Sequence, residues 1–488
     1  MSDSITPLMT AIEPAGLYFW MTEVIRQCDQ VRHDFAPSPV HDLRVALRRC
    51  RSLADGFMAF DPHPAWKLMK TESRKLFQQL GALRDTHVMM EWVQRLAPYT
   101  DEPSFLLRSH LERQESKDKE NAASAVLEFN HKKWASWTRL LAGRVRQIPL
   151  ESPAFQHLAL ERWSEAHRLH VQAVRNRSHV SYHRLRIALK KFRYTVENFL
   201  PSRHERWGPQ LRELQDLLGE MHDLYVLWRT ALAIKAIRTE KSHLEWRQRI
   251  SVESSLRLER YREKVLGKTS LLLLWRAELP NSGEMENAAL ARLRVWASFR
   301  DPDISHSEHV AKLALQIYDG LNSLDLIPAG ELPEARRILE SAALAHAVGY
   351  VKAQKKHEVA SYRLIRKLAP PLGLNAAMLQ QIGLVVRFHR GALPRSAHKA
   401  FAGVAEERRK LLVLLSGILR LADAFDKLRG RRIYRLQLRR NGDVLCITAP
   451  GYSETGPSAV KLAAARHLLE VACRVPILIV SLNADQST

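Results

Sequence analysis

The chain has 488 residues, too many for a single hydrophobic core, so two or three domains are expected. Its 75 Lys and Arg against 52 Asp and Glu give a formal net charge of +23 and a pI near 10.1, a balance that favours anionic partners: nucleic acid, acidic lipid headgroups or a smaller polyanion. Four cysteines, Cys28, Cys50, Cys446 and Cys473, have neither zinc-finger nor redox spacing and are too few to staple such a chain, which excludes a disulfide scaffold and fits a reducing cytoplasm. The opening segment MSDSITPLMTAIEPAG lacks a basic stretch followed by an apolar run, so no signal peptide is expected. The run TSLLLLW at 269–275 is far short of the roughly 18 residues of a membrane span. Scarce Pro and Gly, with apolar residues at three- and four-residue spacing, predict helices as far as about residue 430.

The first informative element is HDLRVALRRCRSL at 41–53. On a helix, at about 100° per residue, His41, Arg44, Arg48 and Arg51 fall within an arc of roughly 80°, while Leu43, Ala46, Leu47, Cys50 and Leu53 form a separate apolar face. The design returns as HRLRIALKKFRYT at 183–195, with His183, Arg186, Lys190 and Arg193 over Leu185, Ala188, Leu189 and Phe192. LGALRDTHVM at 80–89 likewise recurs as LGEMHDLYVL at 218–227, in the same order and at nearly the same separation, which predicts a duplicated helical bundle.

Like charges at i, i+4 and i+7 repel, by about a few tenths of a kcal/mol per pair in an isolated helix. Asp42 lies off the stripe and Glu197 a turn beyond it, so local salt bridges are a poor explanation. A bound polyanion fits better: guanidinium forks grip phosphate oxygens in pairs, and a stripe about 15 Å long follows several successive phosphates. A solvated face is the competing reading of one such run, and two copies with matched spacing weigh against it.

These segments resemble the signature helices of CHAD domains, the conserved histidine α-helical domains, in which a histidine is followed by arginines or lysines in each of two related four-helix bundles. LGALRD and LQDLLGEMHD are similar to that family's partner-helix motifs, and the resemblance extends over about residues 10–280. It implies two bundles about a pseudo-twofold axis and a basic channel that binds inorganic polyphosphate. Position by position, it puts His41, Arg44, Arg48, Arg49 and Arg51, then His183, Arg186, Lys190, Lys191 and Arg193, along or beside that channel, with Arg49 and Lys191 off the main stripe. Arg84 is a further candidate, and His222 stands at its position in the second copy.

The segment LPNSGEMEN at 279–287 combines Pro, Gly and polar residues and reads as a linker. Just before it, LGKTS at 266–270 imitates the end of a Walker loop, but the first glycine of that motif would fall on Arg262. The expected domains are 1–285 for the duplicated bundle (repeat 1 about 10–150, repeat 2 about 151–280), 286–430 for a second helical domain and 431–488 for a small C-terminal subdomain. In that last part RRIYRLQLRRNGDVLCITAP alternates apolar and polar residues and breaks at Asn441-Gly442, a hairpin signal. A helix at about 457–472 and the run VPILIVSL then predict a small α/β tail.

Within the second half, HSEHVAKLALQIYDGL (306–321), RILESAALAHAVGYV (337–351), SYRLI (361–365), VVRFHRGALP (385–394) and GILRLADAFDKL (417–428) follow one another with helical periodicity. Together they resemble the C-terminal HD-type region of the exopolyphosphatase and guanosine pentaphosphatase family, over about residues 290–488. A working HD site holds divalent metal through a histidine, an adjacent His-Asp pair and a later aspartate, because imidazole and carboxylate together hold the ion and activate its water. His309, His346 and Asp423 stand at three of those positions, and the fourth is Ala347. Where the family usually has His-x-His before its Ser, Glu358, Val359 and Ala360 precede Ser361, with His357 displaced by one. The HD site therefore reads as degenerate, with no metal expected. His309, His346 and His389 read as core or surface histidines, with phosphate binding through His389, Arg387 and Arg390 as the alternative. Segments resembling the family's actin-like catalytic domains are not found.

The expected fold class is mainly all-α: duplicated four-helix bundles followed by an HD-like helical domain with a small α/β tail. The expected function is non-catalytic binding of inorganic polyphosphate, in association with polyphosphate granules or in regulation of a polyphosphate enzyme. A second copy of the chain, docked through the C-terminal half, is the expected protein partner; no cofactor and no membrane partner are expected. Two alternatives stay open. One is a metal-dependent HD phosphohydrolase acting on polyphosphate or a nucleotide. The other is a nucleic-acid-binding protein, which usually needs aromatics interleaved with the basic residues; here only the second copy has them, as Phe192 and Tyr194.

Overall fold

The computed structural model describes residues 16–33, 35, 37–97, 101–327, 332–395, 398–453, 455 and 457–481. The opening segment read for a signal peptide, up to residue 15, and Leu482 at the end of VPILIVSL lie outside the described residues. Eighteen α-helices and one three-stranded sheet are found among the described residues, a mainly all-α fold. None of these helices is long and apolar enough to cross a membrane. All four cysteines are free. The chain divides into two compact units, Met1–Glu284 and Met285–Thr488.

In the first unit, α1 (Leu17–His33), α2 (Pro37–Phe57), α3 (Pro64–Glu72), α4 (Arg74–Leu96), α5 (Glu102–Glu128) and α6 (His131–Val145) build one bundle, in which α1, α2, α4 and α5 are the long members. The second is built from α7 (Pro153–Asn176), α8 (His179–Phe199), α9 (Pro201–Ala233), α10 (Glu240–Val265) and the short α11 (Leu271–Ala277). The apolar faces read from the sequence are the buried ones: Leu43, Ala46, Leu47, Cys50 and Leu53 on α2, and Leu185, Ala188, Leu189 and Phe192 on α8.

The two bundles meet like to like, α2 against α8 and α4 against α9. That is the contact pattern of a pseudo-twofold axis. One side of the interface is aromatic: Phe57 meets Phe199 and Phe155 of the other repeat edge to face, and those two stack on each other within their own repeat at 4.2 Å between ring centroids. Elsewhere Trp92 and Val93 of α4 share an apolar cluster with Leu224 and Leu227 of α9. A Cβ added at Gly56 would lie 2.2 Å from Phe199 Cε2, so only glycine lets α2 come this close.

The expected linker is partly helical, because α12 (Ser282–Ser298) starts inside it. The Asn281 side chain accepts from the N–H groups of Gly283 (2.9 Å) and Glu284 (3.1 Å), and Glu284 Oε2 accepts from the Asn281 N–H at 3.1 Å. This reciprocal capping box starts a helix where proline and glycine suggested a loop.

The second unit packs α13 (Ile304–Ser323), α14 (Leu332–Ala345), α15 (His357–Ile365), α16 (Ala376–Phe388) and α17 (Glu406–Phe425) around a core that includes Ile317, Leu339, Val385 and Ile418. The hairpin forms as β1 (Gln437–Asn441) and β2 (Val444–Thr448), antiparallel with Asn441 opposite Val444, and Gly442 takes the left-handed turn position at φ +58°. After α18 (Pro457–Cys473), which lies on α17, β3 (Ile477–Val480) adds parallel to β2 with Leu445 opposite Ile477.

Candidate functional site

The like-to-like packing brings the two basic stripes together. Burial pushes the Lys190 ammonium down to about 8, and Arg186 beside it, with Arg44 and Arg48 from the other repeat, adds to the effect. Burial also holds Arg44 below the ordinary guanidinium range, opposed by Asp85 and reinforced by Arg48 and Arg84. Two carboxylates face these cations. Asp85 is raised by burial against the pull of Arg44, Arg186 and Lys190, and its counterpart Asp223 is pushed up to about 6 by burial, with Arg186 opposing and Asp85 assisting. The seam thus gathers Arg44, Arg48, Arg84, Arg186 and Lys190 from both repeats around a partly desolvated pair of aspartates. Arg44 Nε, Arg186 Nε and His183 Nδ1 are buried with no hydrogen-bond partner among the described residues. Each such group costs about 1–3 kcal/mol, which oxyanion acceptors would offset.

The two histidines of the stripes have different surroundings. His41 is exposed and lines a cavity of about 430 Å³ with Arg44, Arg84, His87 and Lys119. There His87 and Lys119 both reach Glu115, at 3.0 and 2.7 Å. His183 belongs to a histidine trio: its ring centroid is 4.5 Å from that of His222, whose Nδ1 lies 3.2 Å from His179 Nε2. Tyr225 stacks on His179 at 3.5 Å. Burial, then Arg186, His183 and His179, push His222 down to about 4, so it stays neutral.

Three predicted residues, Arg51, Arg49 and Lys191, are placed outside this constellation, and a fourth, Arg193, acts on Lys190 but is also paired with an acid. Arg51 turns into its own repeat, where Nη1 donates to Lys70 O (2.6 Å) and Ser73 Oγ (2.9 Å) and the guanidinium covers the Phe77 ring at 4.9 Å. Arg49 and Arg193 share Glu197, at 2.5 and 3.6 Å from its two oxygens. Ion pairing therefore absorbs part of the basic run, although the sequence put Glu197 out of reach; the carboxylate is one turn from Arg193 and is brought to Arg49 by the packing of α2 on α8. Lys191 is exposed and lines a different groove, with Arg162, Arg168 and Arg184. Sequence reasoning missed His179, Asp85 and Asp223. The two aspartates carried a signal, since both end the recurring LGALRD and LGEMHD.

The second unit gathers a different set. His306, His346 and Asp423 are buried, with one donor atom of each within 4.8 Å of the others. The first member is His306 at the start of α13, where Asp303 Oδ1 accepts from its N–H at 3.2 Å, and not His309. His309 Nε2 is held instead by Ile433 O at 2.8 Å. Ala347 is buried at the rim, so the position after His346 supplies no carboxylate. Ser361 fixes the loop behind His346: its hydroxyl donates to His346 O and accepts from the Gly349 N–H, both at 2.8 Å. A Cβ at Gly349 would sit 2.3 Å from Ser361 N, so the approach requires glycine. His357 and His389 are also buried here, with Nε2 atoms 3.3 Å apart. Arg390 lines the same cavity, whereas Arg387 lies beside Glu358 at 4.0 Å.

Residues 22–232 match the family model of the CHAD domain, and residues 297–446 match that of the Ppx/GppA phosphatase, domain III. No curated protein matches the chain. Among solved structures, the crystal structure of the CHAD domain from the plant Ricinus communis is similar at 21% identity, covering 54% of this chain and 89% of that one with a TM-score of 0.39. The chain thus carries a CHAD domain at residues 22–232 and, following it, a Ppx/GppA phosphatase domain III at residues 297–446.

Proposed function

We propose that this protein binds inorganic polyphosphate in the seam between the two repeats, by charge and without cleaving it. The observation that carries the reading is the convergence of Arg44, Arg48, Arg186 and Lys190 from two helices, tight enough that burial and the neighbouring cations bring the Lys190 ammonium down to about 8. Cations held so close repel one another, and a flexible chain with a charge on every phosphate supplies the counter-charge along the whole seam. Compact anions engage only part of it. Forked guanidinium contacts and counterion release set the affinity, which should fall steeply with salt, as for other polyanions. The match to a phosphatase domain in the second unit supports a phosphate-related role for the chain.

The test is a salt-series titration of long-chain polyphosphate against the native chain and an Arg44→Ala, Arg48→Ala, Arg186→Ala, Lys190→Ala variant that keeps its helical circular dichroism. Expected is tight, salt-sensitive binding by the native chain only. Equal binding by both chains would make the stripes solvated faces and end this reading. Nucleic acid outcompeting polyphosphate would replace the ligand class. Metal-dependent release of phosphate would replace the non-catalytic part.

A further inference from the structure

We infer that the cavity beside His41 in the first repeat takes the base of a nucleoside polyphosphate, whose phosphates run into the seam at Arg44. The inference rests on the seam reading for the phosphates alone; the base is held by residues outside the seam. The two repeats are alike in the seam and unlike beside it. Arg84 and His87 on α4 correspond to His222 and Tyr225 on α9, and Val40 on α2 corresponds to Tyr182 on α8.

The second repeat fills this region with its own rings. His179 stacks on Tyr225, with 3.5 Å between ring centroids and 15° between the planes, and its Nε2 lies 3.2 Å from His222 Nδ1. Tyr182 is buried. In the first repeat Val40 and His87 are smaller than their counterparts, and a cavity of about 430 Å³ opens there, lined by Val40, Leu80 and Leu83 together with His41, Arg44 and Arg84. Small-molecule sites enclose roughly 300–1,000 Å³ and combine apolar walls with a few placed polar groups, as this one does. The second repeat demonstrates with its own residues what such a region accepts: planar, partly polar rings in face-to-face contact. A nucleobase has that shape and that polarity.

The neighbouring charge selects what the ring is attached to. Arg44 lines the cavity as well as the seam, and its Nε is buried with no hydrogen-bond partner among the described residues. Arg84 pairs with Glu91 at 3.1 Å, both side chains being exposed, and such a pair holds a guanidinium only weakly. The acid on the lining, Glu115, is already held by Lys119 at 2.7 Å and by His87 at 3.0 Å, and the second contact orients the ring on which a base would stack. Inorganic polyphosphate lacks the ring and a nucleoside lacks the charge, so neither engages both parts of the site. A nucleotide bound here covers one end of the seam and competes with polyphosphate for Arg44.

Calorimetry of the full chain, in the presence of a chelator and at one salt concentration, compares adenosine triphosphate, inorganic tripolyphosphate and adenosine. Expected is binding of adenosine triphosphate about tenfold tighter than that of tripolyphosphate, the scale of one base stacked on a ring, with adenosine weaker than the nucleotide. Val40→Tyr, which installs the residue of the second repeat, should bring the nucleotide down to the level of tripolyphosphate and leave tripolyphosphate unchanged. His87→Tyr serves in its place if Val40→Tyr loses its helical circular dichroism. Arg44→Ala should weaken both phosphate ligands. A nucleotide no tighter than tripolyphosphate in the native chain, or an advantage kept by folded Val40→Tyr and His87→Tyr chains, overturns the inference. Adenosine as tight as the nucleotide overturns its phosphate part. Long-chain polyphosphate is titrated against the same samples. Polyphosphate binding retained in Val40→Tyr while the nucleotide advantage is lost upholds cavity and seam together; a native chain that fails to bind polyphosphate but shows a Val40-dependent nucleotide advantage ends the seam reading and leaves the cavity standing.

Discussion

Phe57 and Phe199 hold equivalent positions in the two repeats and touch each other, edge to face, with ring centroids 5.4 Å apart. A residue can meet its own counterpart only near the axis relating two copies. This contact therefore fixes where α2 and α8 come together and, a few turns along, brings Arg48 within range of Lys190. The packing of two phenylalanines and the electrostatics of the seam are one arrangement.

Gly56 sets the distance of that approach. Gly56→Ala would place a methyl 2.2 Å from Phe199 Cε2 and 2.4 Å from Cζ in a fully buried interface. Overpacking of this kind costs about 1–3 kcal/mol. Urea unfolding should report that loss as a lower midpoint, and polyphosphate affinity should fall with it as the stripes move apart. Adding Phe199→Leu should return part of the stability, since the two positions share one contact and should be non-additive. Simple additivity would mean that the interface relaxes elsewhere.

Much of this was legible in the sequence, and the misses have physical causes. Helical periodicity alone separated the basic and apolar faces of α2 and α8, and the duplicated motifs carried the two bundles. Periodicity does not say what else competes for a side chain. Arg51 is a full member of the stripe by angle, yet Lys70 O and Ser73 Oγ, 19 and 22 residues away, take it. His306 and His309 sit one turn apart in HSEH, and the choice between them depends on a carbonyl of residue 433 that sequence spacing cannot position. The start of α12 was readable: Asn281 and Glu284 have capping-box spacing, which the proline and glycine around them obscured.

Arg51 should separate stability from binding. Its side chain spans α2 to the end of α3 and is half-buried, with burial lowering its guanidinium pKa. Arg51→Ala removes charged hydrogen bonds worth about 1.5–3 kcal/mol. Expected is a lower unfolding midpoint with polyphosphate affinity within about twofold of native. A large loss of affinity in a folded Arg51→Ala chain would return this residue to the seam.

Asp223 should make binding stronger in mild acid. Burial raises its carboxyl to about 6, so at neutral pH it carries a negative charge that opposes a polyanion. Lowering the pH from 7 to 5 protonates it, and the protonated form is the one a polyanion favours, so affinity rises as pH falls. His222 beside it, pushed down to about 4, does not titrate in this window. Asp223→Asn should bind more tightly than native at pH 7.5 and flatten the change between pH 5 and 7. A weaker Asp223→Asn would instead assign this carboxylate to holding Arg186 in place.

Lys190 works in the opposite range. Burial, Arg186, Arg44 and Arg48 bring its ammonium to about 8, so it loses its proton between pH 7 and 9 in the free protein. A bound polyanion favours the charged form, and binding above pH 8 must therefore take up a proton. Affinity should fall with rising pH in that interval, by at most about tenfold per pH unit for one proton, and calorimetry in buffers of different ionisation enthalpy should show the uptake. Folding stability runs the other way. The folded state holds the lysine proton less tightly than the unfolded chain, whose lysine titrates near 10.5, so between pH 8 and 10 the unfolded state binds more protons and the group's contribution to stability rises. Lys190→Arg keeps a charge throughout this range and should remove both slopes together. If the affinity slope survives in Lys190→Arg, the titrating group lies outside the seam, and the crowding of cations between the two repeats is not what couples binding to pH.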